Sequence, residues 1–256
     1  MSDFINKMIE MAKDSPQRIG FPEATNPDVL KTAELVVSSG IGSVLLIGNQ
    51  AEVEAVAVRN HIHTAGFDYY DNGSEEIRRQ LAAEYTSRYD DLFDKSIIRK
   101  AKDSVRCAMF LLKLHVIDCV AAGKEYTTGD VIIEAMNIVG LQEGVDSPSA
   151  LGIADVPGFD GSEGTLFGVA DCALNAQPDA KDLAGIAIAS ADTAESLLGW
   201  EPRVAMLAFS TCGSAEHESI DIIRDAIELV HQKRPDIKVD GEFQLDSALI
   251  PSIAAR

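Results

Sequence analysis

Short apolar runs alternate with longer stretches of helical periodicity along the whole chain, and this alternation constrains the fold more than any other feature. The clearest apolar runs cover residues 18–21, 43–47, 116–120, 165–170 and 203–209. Between these runs, apolar residues recur at the spacing of amphipathic helices. The order predicts an α/β fold with mostly parallel sheets.

Residues that favour helix ends and turns locate several of the helices. Asn26 and Pro27 are typical of a cap and a first helical residue, and Gly40 is typical of a helix end. Further helices are predicted from about residue 50 to 61, from 74 to 115 with one unplaced break, and over 179–198. A strand, a loop and a helix start also follow one another through residues 116–128, where Thr127 or Thr128 caps the helix. Such a junction presents free backbone N–H groups and the positive end of a helix dipole, which suits an anion.

The length of the chain allows two domains. At roughly 100–200 residues per domain, 256 residues form one large or two modest domains. Residues 143–164 are rich in Gly, Pro, Ser and Asp, as expected of a connecting segment. We therefore predict a first α/β domain over residues 1–146 and a second over residues 147–256.

The charge of the chain excludes some partners. The sequence has 22 Lys and Arg against 41 Asp and Glu, a formal net charge of −19 at pH 7. A nucleic-acid partner is not expected, since no basic surplus exists to displace counterions from phosphates. The chain has no run near the ~20 apolar residues that span a bilayer and no secretory leader pattern. We expect a cytoplasmic protein without a membrane partner.

The cysteines and histidines do not form a recognisable metal site. Cys107, Cys119, Cys172 and Cys212 include no CxxC pair, and no ligand spacing follows the His61-Ile62-His63 triplet. Apolar neighbours around at least three of the cysteines favour reduced core thiols.

Cys172 follows Asp171 at a predicted strand end, where a thiol can act as a nucleophile. No histidine lies close to it in the sequence to activate it. We therefore predict that Cys172 is a buried structural thiol.

Longer motifs in the second half of the chain follow one another in a fixed order. They are FGVADCA (167–173), IAIASADTA (186–194), EPRVAML (201–207), FST (209–211), GSA (213–215) and VDGEFQLD (239–246). RIGFPE (18–23) and TTGDV (127–131) precede them. Together these motifs resemble those of the phosphate acetyl/butyryl transferases, also called phosphotransacetylases. The resemblance covers most of the chain; it is strong over residues 165–256 and weak over residues 66–106.

The resemblance implies reversible transfer of an acetyl, propionyl or butyryl group between coenzyme A and phosphate. The reaction would take place in a cleft between two α/β domains that resemble the isocitrate dehydrogenase fold. Coenzyme A and acyl-CoA would be substrates, no cofactor would be bound, and the chain would form a homodimer. Hydroxyl and backbone donors expected to bind phosphate or acyl phosphate belong to Thr127, Thr128, Ser210, Thr211 and Ser214. Residues expected to line the site are Asp171, Cys172, Asn175 and Arg88, and no catalytic residue is assigned.

Some features of the resembled family have no counterpart in the sequence. Family chains continue through a strand, a helix and an Asn-Asp-Leu-Ser-Arg-Gly motif that serves thiol deprotonation and transition-state charge, and this motif does not occur here. Ile133 and Cys212 stand where the family carries Arg and Lys, and Arg88 is a weak substitute for another Arg. We expect weak or lost activity from these differences, with an unpaired strand edge and an uncovered apolar face on the second domain.

Two other functions are compatible with parts of the sequence. A non-catalytic family member that binds acyl-CoA or phosphate, or acts as a scaffold subunit, would explain the absent motif and Ile133. A dehydrogenase-like member of the same fold superfamily is less favoured, because the chain has no GxGxxG and no metal-binding aspartate cluster.

Overall fold

Helices and strands alternate along the chain in the computed structural model, which describes residues 3–255. Up to residue 140 the elements are α1 (Asp3–Asp14), β1 (Gln17–Phe21), α2 (Pro27–Ser39), β2 (Gly42–Ile47), α3 (Gln50–Arg59), β3 (Phe67–Tyr70), α4 (Glu75–Arg88), α5 (Asp94–Lys100), α6 (Ser104–Lys113), β4 (Cys119–Val120) and α7 (Thr128–Ile138). Beyond residue 140 they are β5 (Gly152–Asp155), β6 (Leu166–Val169), α8 (Ala180–Leu198), β7 (Arg203–Leu207), α9 (Glu218–Lys233), β8 (Lys238–Phe243), α10 (Leu245–Leu249) and α11 (Pro251–Ala254). Met1, Ser2 and Arg256, at the ends of the predicted domains, lie outside the described residues.

The chain divides into two compact units between Gly140 and Leu141. The division precedes the predicted boundary at residue 146 by a few residues. Val145 is already buried in the second unit, where it lies against Gly185 of α8. The segment after Gly140 therefore packs with the second unit.

The sheet of the first unit has the strand order β3-β2-β1-β4, and each neighbouring pair is parallel. Successive side chains of a strand point to opposite faces. Val44 and Leu46 accordingly pack with α2 and α3, whereas Leu45 and Ile47 pack with the core that α4, α5 and α6 build on the other face. A strand buried on both faces reads as a continuous apolar run, which is why β2 is evident in the sequence.

Side-chain caps begin α2, as predicted, and also α8, for which the sequence analysis predicted no cap. The Asn26 side chain accepts hydrogen bonds from the N–H groups of Asp28 and Val29, and Gly40 adopts φ +69° at the end of α2. Asp179 and Asp182 form a capping box at the start of α8. These caps satisfy N–H groups that otherwise lack partners in the first turn of a helix.

Some boundaries in the first unit differ from the sequence prediction. The patterns do not predict α1 or β3. The helical stretch predicted over residues 74–115 with one break is interrupted twice, at residues 89–93 and 101–103. At the second interruption the Asp103 carboxylate accepts a hydrogen bond from the Arg106 N–H at 3.0 Å and caps α6. The strand predicted over residues 116–120 is reduced to β4, because the Val116 N–H still donates to the Leu111 carbonyl at the end of α6.

The second unit contains an antiparallel pair, β5 and β6, and a parallel pair, β7 and β8. Helices α8 and α9 pack on β7 and β8 through small and branched residues such as Ala187, Ala226 and Val239. An open cavity of about 1600 Å³ runs along β7 and α8. Large apolar side chains remain exposed in this region, among them Leu207 and Phe209. Within residues 3–255, no helix is both long and apolar enough to cross a membrane.

Candidate functional site

The loop formed by residues 210–215, here called the 210–215 loop, follows β7 and lies beside the residues that follow β8. The carboxyl ends of neighbouring parallel strands meet at one edge of a sheet. The Gln244 N–H donates to Thr211 Oγ1 at 2.9 Å, and Thr211 Oγ1 lies 3.4 Å from Ser247 Oγ. The parallel pairing thus brings the end of β8 to the loop that the sequence prediction singled out.

Ser210, Thr211 and Ser214 are brought together in this loop. Ser210 Oγ and Ser214 Oγ are 3.1 Å apart, and the Thr211 N–H donates to Ser214 Oγ at 3.0 Å. Ser210 Oγ also accepts a hydrogen bond from the Ala215 N–H at 3.1 Å. Ser210 is fully buried, whereas Ser214 is exposed. The loop therefore presents its hydroxyl groups in two layers, one structural and one open to solvent.

The backbone at the tip of the loop is unusual. Cys212 has φ +48° and Gly213 has φ +81°. The left-handed region suits glycine but is unfavourable for a residue with a Cβ atom. The Cys212 N–H donates to the backbone carbonyl of Glu242 at 3.0 Å, so β8 helps to hold this turn.

Glu242 on β8 is the buried carboxylate beneath the loop, with 2% of its surface exposed. Its Oε1 accepts hydrogen bonds from the Gly213 N–H at 2.8 Å and from the Ser210 hydroxyl at 3.1 Å. The Arg224 guanidinium donates to both carboxylate oxygens, from Nε at 3.1 Å and from Nη2 at 3.2 Å. The Arg224 guanidinium, the Gly213 N–H and the Ser210 hydroxyl hold the pKa of Glu242 at about 2.

Arg224 on α9 is the positively charged side chain beside the loop. Its side chain is 43% exposed, and its donors outnumber those that Glu242 occupies. Asp221 lies one helical turn earlier, with its carboxylate 3.6 Å from Arg224 Nη1. The positive charge of Arg224 is thus open to solvent but partly balanced by two carboxylates.

Thr127 and Thr128 lie in the first unit at the start of α7. The Thr127 hydroxyl accepts a hydrogen bond from the Asp130 N–H at 3.2 Å and donates to the Asp130 carboxylate at 2.8 Å, so it acts as an N-cap. The backbone N–H groups of residues 123–126, just before the helix, all donate to the carboxylate of Glu23. Glu23, 4% exposed, therefore occupies the backbone donors of the loop that leads to the predicted anion site at Thr127 and Thr128. Binding of phosphate by Thr127 and Thr128 stays a prediction.

Asp171 and Asn175 hold the loop that follows β6. The Asp171 carboxylate accepts hydrogen bonds from the N–H groups of Ala150, Ala173 and Asn175 and from the Asn175 amide. Burial opposes ionisation of Asp171, but these hydrogen bonds outweigh it and lower its pKa to about 2. The Asn175 amide also donates to the Pro148 carbonyl at 2.8 Å, which ties the loop to the segment before β5.

The prediction of core thiols is wrong for three of the four cysteines. Cys107 is buried in α6, whereas Cys119, Cys172 and Cys212 are exposed. Cys172 follows a strand of a two-stranded hairpin, which buries less than a strand inside a sheet, and its thiol donates to the Val169 carbonyl at 3.0 Å. The apolar neighbours of Cys119 and Cys172 in the sequence therefore did not indicate burial.

Arg88, expected near the site as a substitute cation, lies at the end of α4. Its guanidinium donates to the Glu84 carboxylate at 2.7 Å and to the Leu114 carbonyl at 3.1 Å. These contacts tie α4 to the end of α6 and occupy part of its donor capacity. A role for Arg88 in binding phosphate stays a prediction.

Comparison with known proteins identifies the family. The family model described as phosphate acetyl/butaryl transferase matches residues 3–256. The chain belongs to this family. The phosphate acetyltransferase of Thermoanaerobacterium thermosaccharolyticum is 35% identical over 98% of this chain and 76% of its own length. The phosphate acetyltransferase of Bacillus subtilis is 32% identical over 100% of this chain and 77% of its own length.

Solved structures show the same fold. The EutD phosphotransacetylase from Staphylococcus aureus superimposes with a TM-score of 0.85 at 24% identity, over 98% of this chain and 76% of that one. A phosphotransacetylase from Streptococcus pyogenes gives a TM-score of 0.84 at 23% identity, over 100% of this chain and 77% of that one.

Family membership confirms the resemblance seen in the motifs and the predicted α/β class. It also confirms the prediction of a phosphate acyltransferase enzyme. The alternative of a non-catalytic subunit is not favoured, because these relatives are named as enzymes.

Sequence reasoning missed the charged residues that hold these loops. Glu23 and Glu242 lie inside the motifs RIGFPE and VDGEFQLD, and each stands at or just beyond the end of a parallel strand. An acidic residue in that position is a signal that could have marked them. Arg224 lies in an amphipathic helix with no distinguishing neighbours, and only the fold places it beside Glu242.

Proposed function

We propose that this phosphate acyltransferase holds phosphate, or the phosphate group of an acyl phosphate, at the 210–215 loop beside Arg224. The family match over residues 3–256 is the observation that supports the acyl-transfer reaction. The choice of loop is supported by the cluster of hydroxyl groups next to a half-exposed guanidinium.

The reaction sets definite requirements. The thiol sulfur of coenzyme A attacks the carbonyl carbon of an acyl phosphate and loses its proton. The new C–S bond forms as the C–O bond to phosphate breaks, and phosphate leaves with that electron pair; the reverse reaction makes acyl phosphate. The leaving phosphate needs hydrogen-bond donors and positive charge, and the tetrahedral oxyanion needs donors as well.

Thr211 and Ser214 are suited to donate to phosphate oxygens. The Thr211 hydroxyl contacts Ser247 Oγ only at 3.4 Å, so its proton is readily available. Because the Ser210 hydroxyl donates to Glu242, the proton in the Ser210–Ser214 contact comes from Ser214. Ser214 is exposed and can turn that proton to a ligand for the loss of one neutral hydrogen bond, about 1 kcal/mol.

Arg224 supplies the positive charge in this proposal. Guanidinium N–H groups that do not face Glu242 remain for a second anion, and charge-assisted hydrogen bonds to phosphate are stronger than neutral ones. Asp171 and Glu242 are poor acceptors for the thiol proton, because each has a pKa of about 2 and a general base works best near the operating pH.

We further propose that coenzyme A and acyl-CoA are substrates, with no bound cofactor, and that the protein is a cytoplasmic homodimer. These proposals are supported by the resemblance to the family.

The test is the release of coenzyme A from acetyl-CoA, propionyl-CoA and butyryl-CoA by the purified chain, measured with and without phosphate. We expect release that requires phosphate and saturates with it. A Thr211→Val, Ser214→Ala double variant should raise the KM for phosphate roughly 10-fold or more, since it loses two hydrogen bonds of about 1 kcal/mol each. Phosphate-independent release, or a double variant with an unchanged KM for phosphate, would contradict the proposal.

A charge substitution on α9 tests the position of the phosphate by an expected fall, rather than a rise, in the KM for phosphate. Asp221→Asn removes the carboxylate that lies 3.6 Å from Arg224 and frees the guanidinium for phosphate. An exposed ion pair is worth at most about 1 kcal/mol, so the KM for phosphate should fall by up to about 5-fold at low ionic strength. Asp225→Asn on the same helix is the control, because it removes the same charge without a contact to Arg224. Equal effects of the two substitutions would point to net charge rather than to a phosphate beside Arg224.

A further inference from the structure

The 210–215 loop has few backbone donors of its own left for a ligand. The N–H groups of Thr211, Ser214 and Ala215 donate within the loop, and those of Cys212 and Gly213 donate to Glu242. The conformation of the loop tip thus depends on a single residue of the neighbouring strand.

Glu242 contacts the loop through both its main chain and its side chain. The carbonyl of Glu242 accepts the Cys212 N–H, and the carboxylate accepts the Gly213 N–H and the Ser210 hydroxyl. A buried carboxylate persists only where charged and hydrogen-bonding partners replace its lost hydration. The partners here are the loop itself and Arg224, so the loop and the guanidinium are fixed to the same anion.

Arg224 is held against the tip by the same contact. A Cβ atom placed on Gly213 would lie 3.9 Å from Arg224 Nη2. The paired contact of Nε and Nη2 with the two carboxylate oxygens sets the plane of the guanidinium. Helix packing alone does not fix the Arg224 guanidinium in this orientation, since the side chain is long and 43% exposed.

We propose that Glu242 is a positioning residue of the transferase reaction, which holds the 210–215 loop and the Arg224 guanidinium in the arrangement that receives phosphate. This inference rests on the proposed function of the loop. Glu242 itself does not touch the phosphate: its carboxylate is buried beneath the loop, and its charge would repel the ligand.

The experiment compares the wild-type chain with its Glu242→Gln variant. The amide keeps the shape of the side chain and one acceptor oxygen, but it loses the charge that orients Arg224. Glu228→Gln is the control, because it removes one carboxylate from an exposed position on α9 of the same unit. For each protein we would measure kcat, the KM for phosphate, the KM for acetyl-CoA, and the hydrogen exchange of the amides of residues 211–215.

We expect Glu242→Gln to raise the KM for phosphate at least 10-fold while the KM for acetyl-CoA changes less than 2-fold. The amides of Cys212 and Gly213 should exchange at least 10-fold faster, with no change in the amides of α8. If Glu242→Gln does not fold, Ser210→Ala gives the same test in milder form, since it removes one donor to Glu242 and the acceptor for the Ala215 N–H.

The result that overturns the inference is a wild-type KM for phosphate together with wild-type exchange at Cys212 and Gly213 in the Glu242→Gln protein. An equal rise in both KM values would also overturn it, because a general loss of structure produces that pattern. The phosphate-dependent rate of the wild-type protein tests the proposed function alone. The ratio of the variant's KM for phosphate to the wild-type KM, together with the amide exchange rates, tests the positioning role of Glu242. Failure of the proposed function can therefore be told apart from failure of this inference.

Discussion

Glu23 offers the sharpest test of how the first unit is held together. Its carboxylate is 4% exposed and joins the end of β1 to the loop before α7. Oε1 accepts the N–H groups of Glu125 and Tyr126, and Oε2 accepts those of Gly123 and Lys124. The perturbation is Glu23→Gln, which keeps the size of the side chain and removes its charge.

The expected loss of unfolding free energy follows from the number of acceptor oxygens that the side chain at position 23 keeps. A glutamine has one acceptor oxygen, so the N–H groups that faced the other oxygen now face an NH₂ group. Hydrogen bonds to a charged group contribute roughly 1.5–3 kcal/mol each. Residues 123–125 are exposed, and water replaces part of the loss. We therefore expect the free energy of unfolding of the first unit to fall by about 2–4 kcal/mol.

The assay is urea unfolding followed by a probe in the first unit. With a slope of about 2 kcal/mol per molar urea, the midpoint should fall by about 1–2 M at pH 7. Glu52→Gln, an exposed substitution on α3, should stay within about 0.5 kcal/mol of wild type. A Glu23→Gln midpoint equal to that of Glu52→Gln would refute the reasoning.

The stability that the Glu23 carboxylate contributes should decrease at low pH. Burial alone would raise the pKa of Glu23, but the hydrogen bonds from residues 123–126 outweigh it and lower the pKa below the ordinary value of 4.5. A lowered folded-state pKa gives stability that is present above the unfolded pKa and is lost as the pH falls. The difference in unfolding free energy between wild type and Glu23→Gln should therefore be largest at pH 7 and should shrink as the pH falls below 4.5.

Three further predictions concern other parts of the chain. Asp171→Asn should speed proteolysis of the loop after β6 at pH 7. The wild-type loop should become as easily cleaved as the variant's when the pH falls from 3.8 towards the Asp171 pKa of about 2. Equal cleavage rates of the two proteins at pH 7 would contradict this prediction. Cys172 should be alkylated in the folded protein before Cys107, whose pKa burial raises to about 12, as mass spectrometry of the labelled peptides can show. Leu46→Ala in the buried β2 should cost about 2–5 kcal/mol of unfolding free energy, whereas Leu35→Ala at a 63% exposed position should cost less than about 0.5 kcal/mol.

Local patterns predicted much of the fold, because the residues concerned act on their near neighbours. Asn26, Pro27 and Gly40 determine the ends of α2 through contacts within a few residues. The apolar run of β2 reads directly as a strand buried on both faces. Such signals need no knowledge of distant contacts.

The remaining features depend on contacts between distant segments. Glu23 binds N–H groups about a hundred residues along the chain, and Glu242 binds a loop and a helix that precede it. Nothing near either residue in the sequence shows which donors it will meet. Cys172 was expected in the core because of its apolar neighbours, but the hairpin formed by β5 and β6 leaves it exposed.

The sequence was sufficient to select one loop of the candidate site. The sequence motifs selected Ser210, Thr211 and Ser214, and the structure brings them together. The cation beside them was not predicted, because Arg224 reaches the loop through packing of α9 against β8.

The most direct measurement is the ³¹P NMR spectrum of the purified chain with acetyl-CoA and inorganic phosphate, followed over time. Transfer to phosphate predicts a new acyl phosphate resonance that grows as free thiol appears, and that is weaker at the same phosphate concentration for the Thr211→Val, Ser214→Ala variant. Release of thiol without an acyl phosphate resonance in the spectrum would show hydrolysis instead of transfer to phosphate. Equal growth of the resonance in wild type and variant, at phosphate concentrations below the wild-type KM, would contradict the assignment of the 210–215 loop.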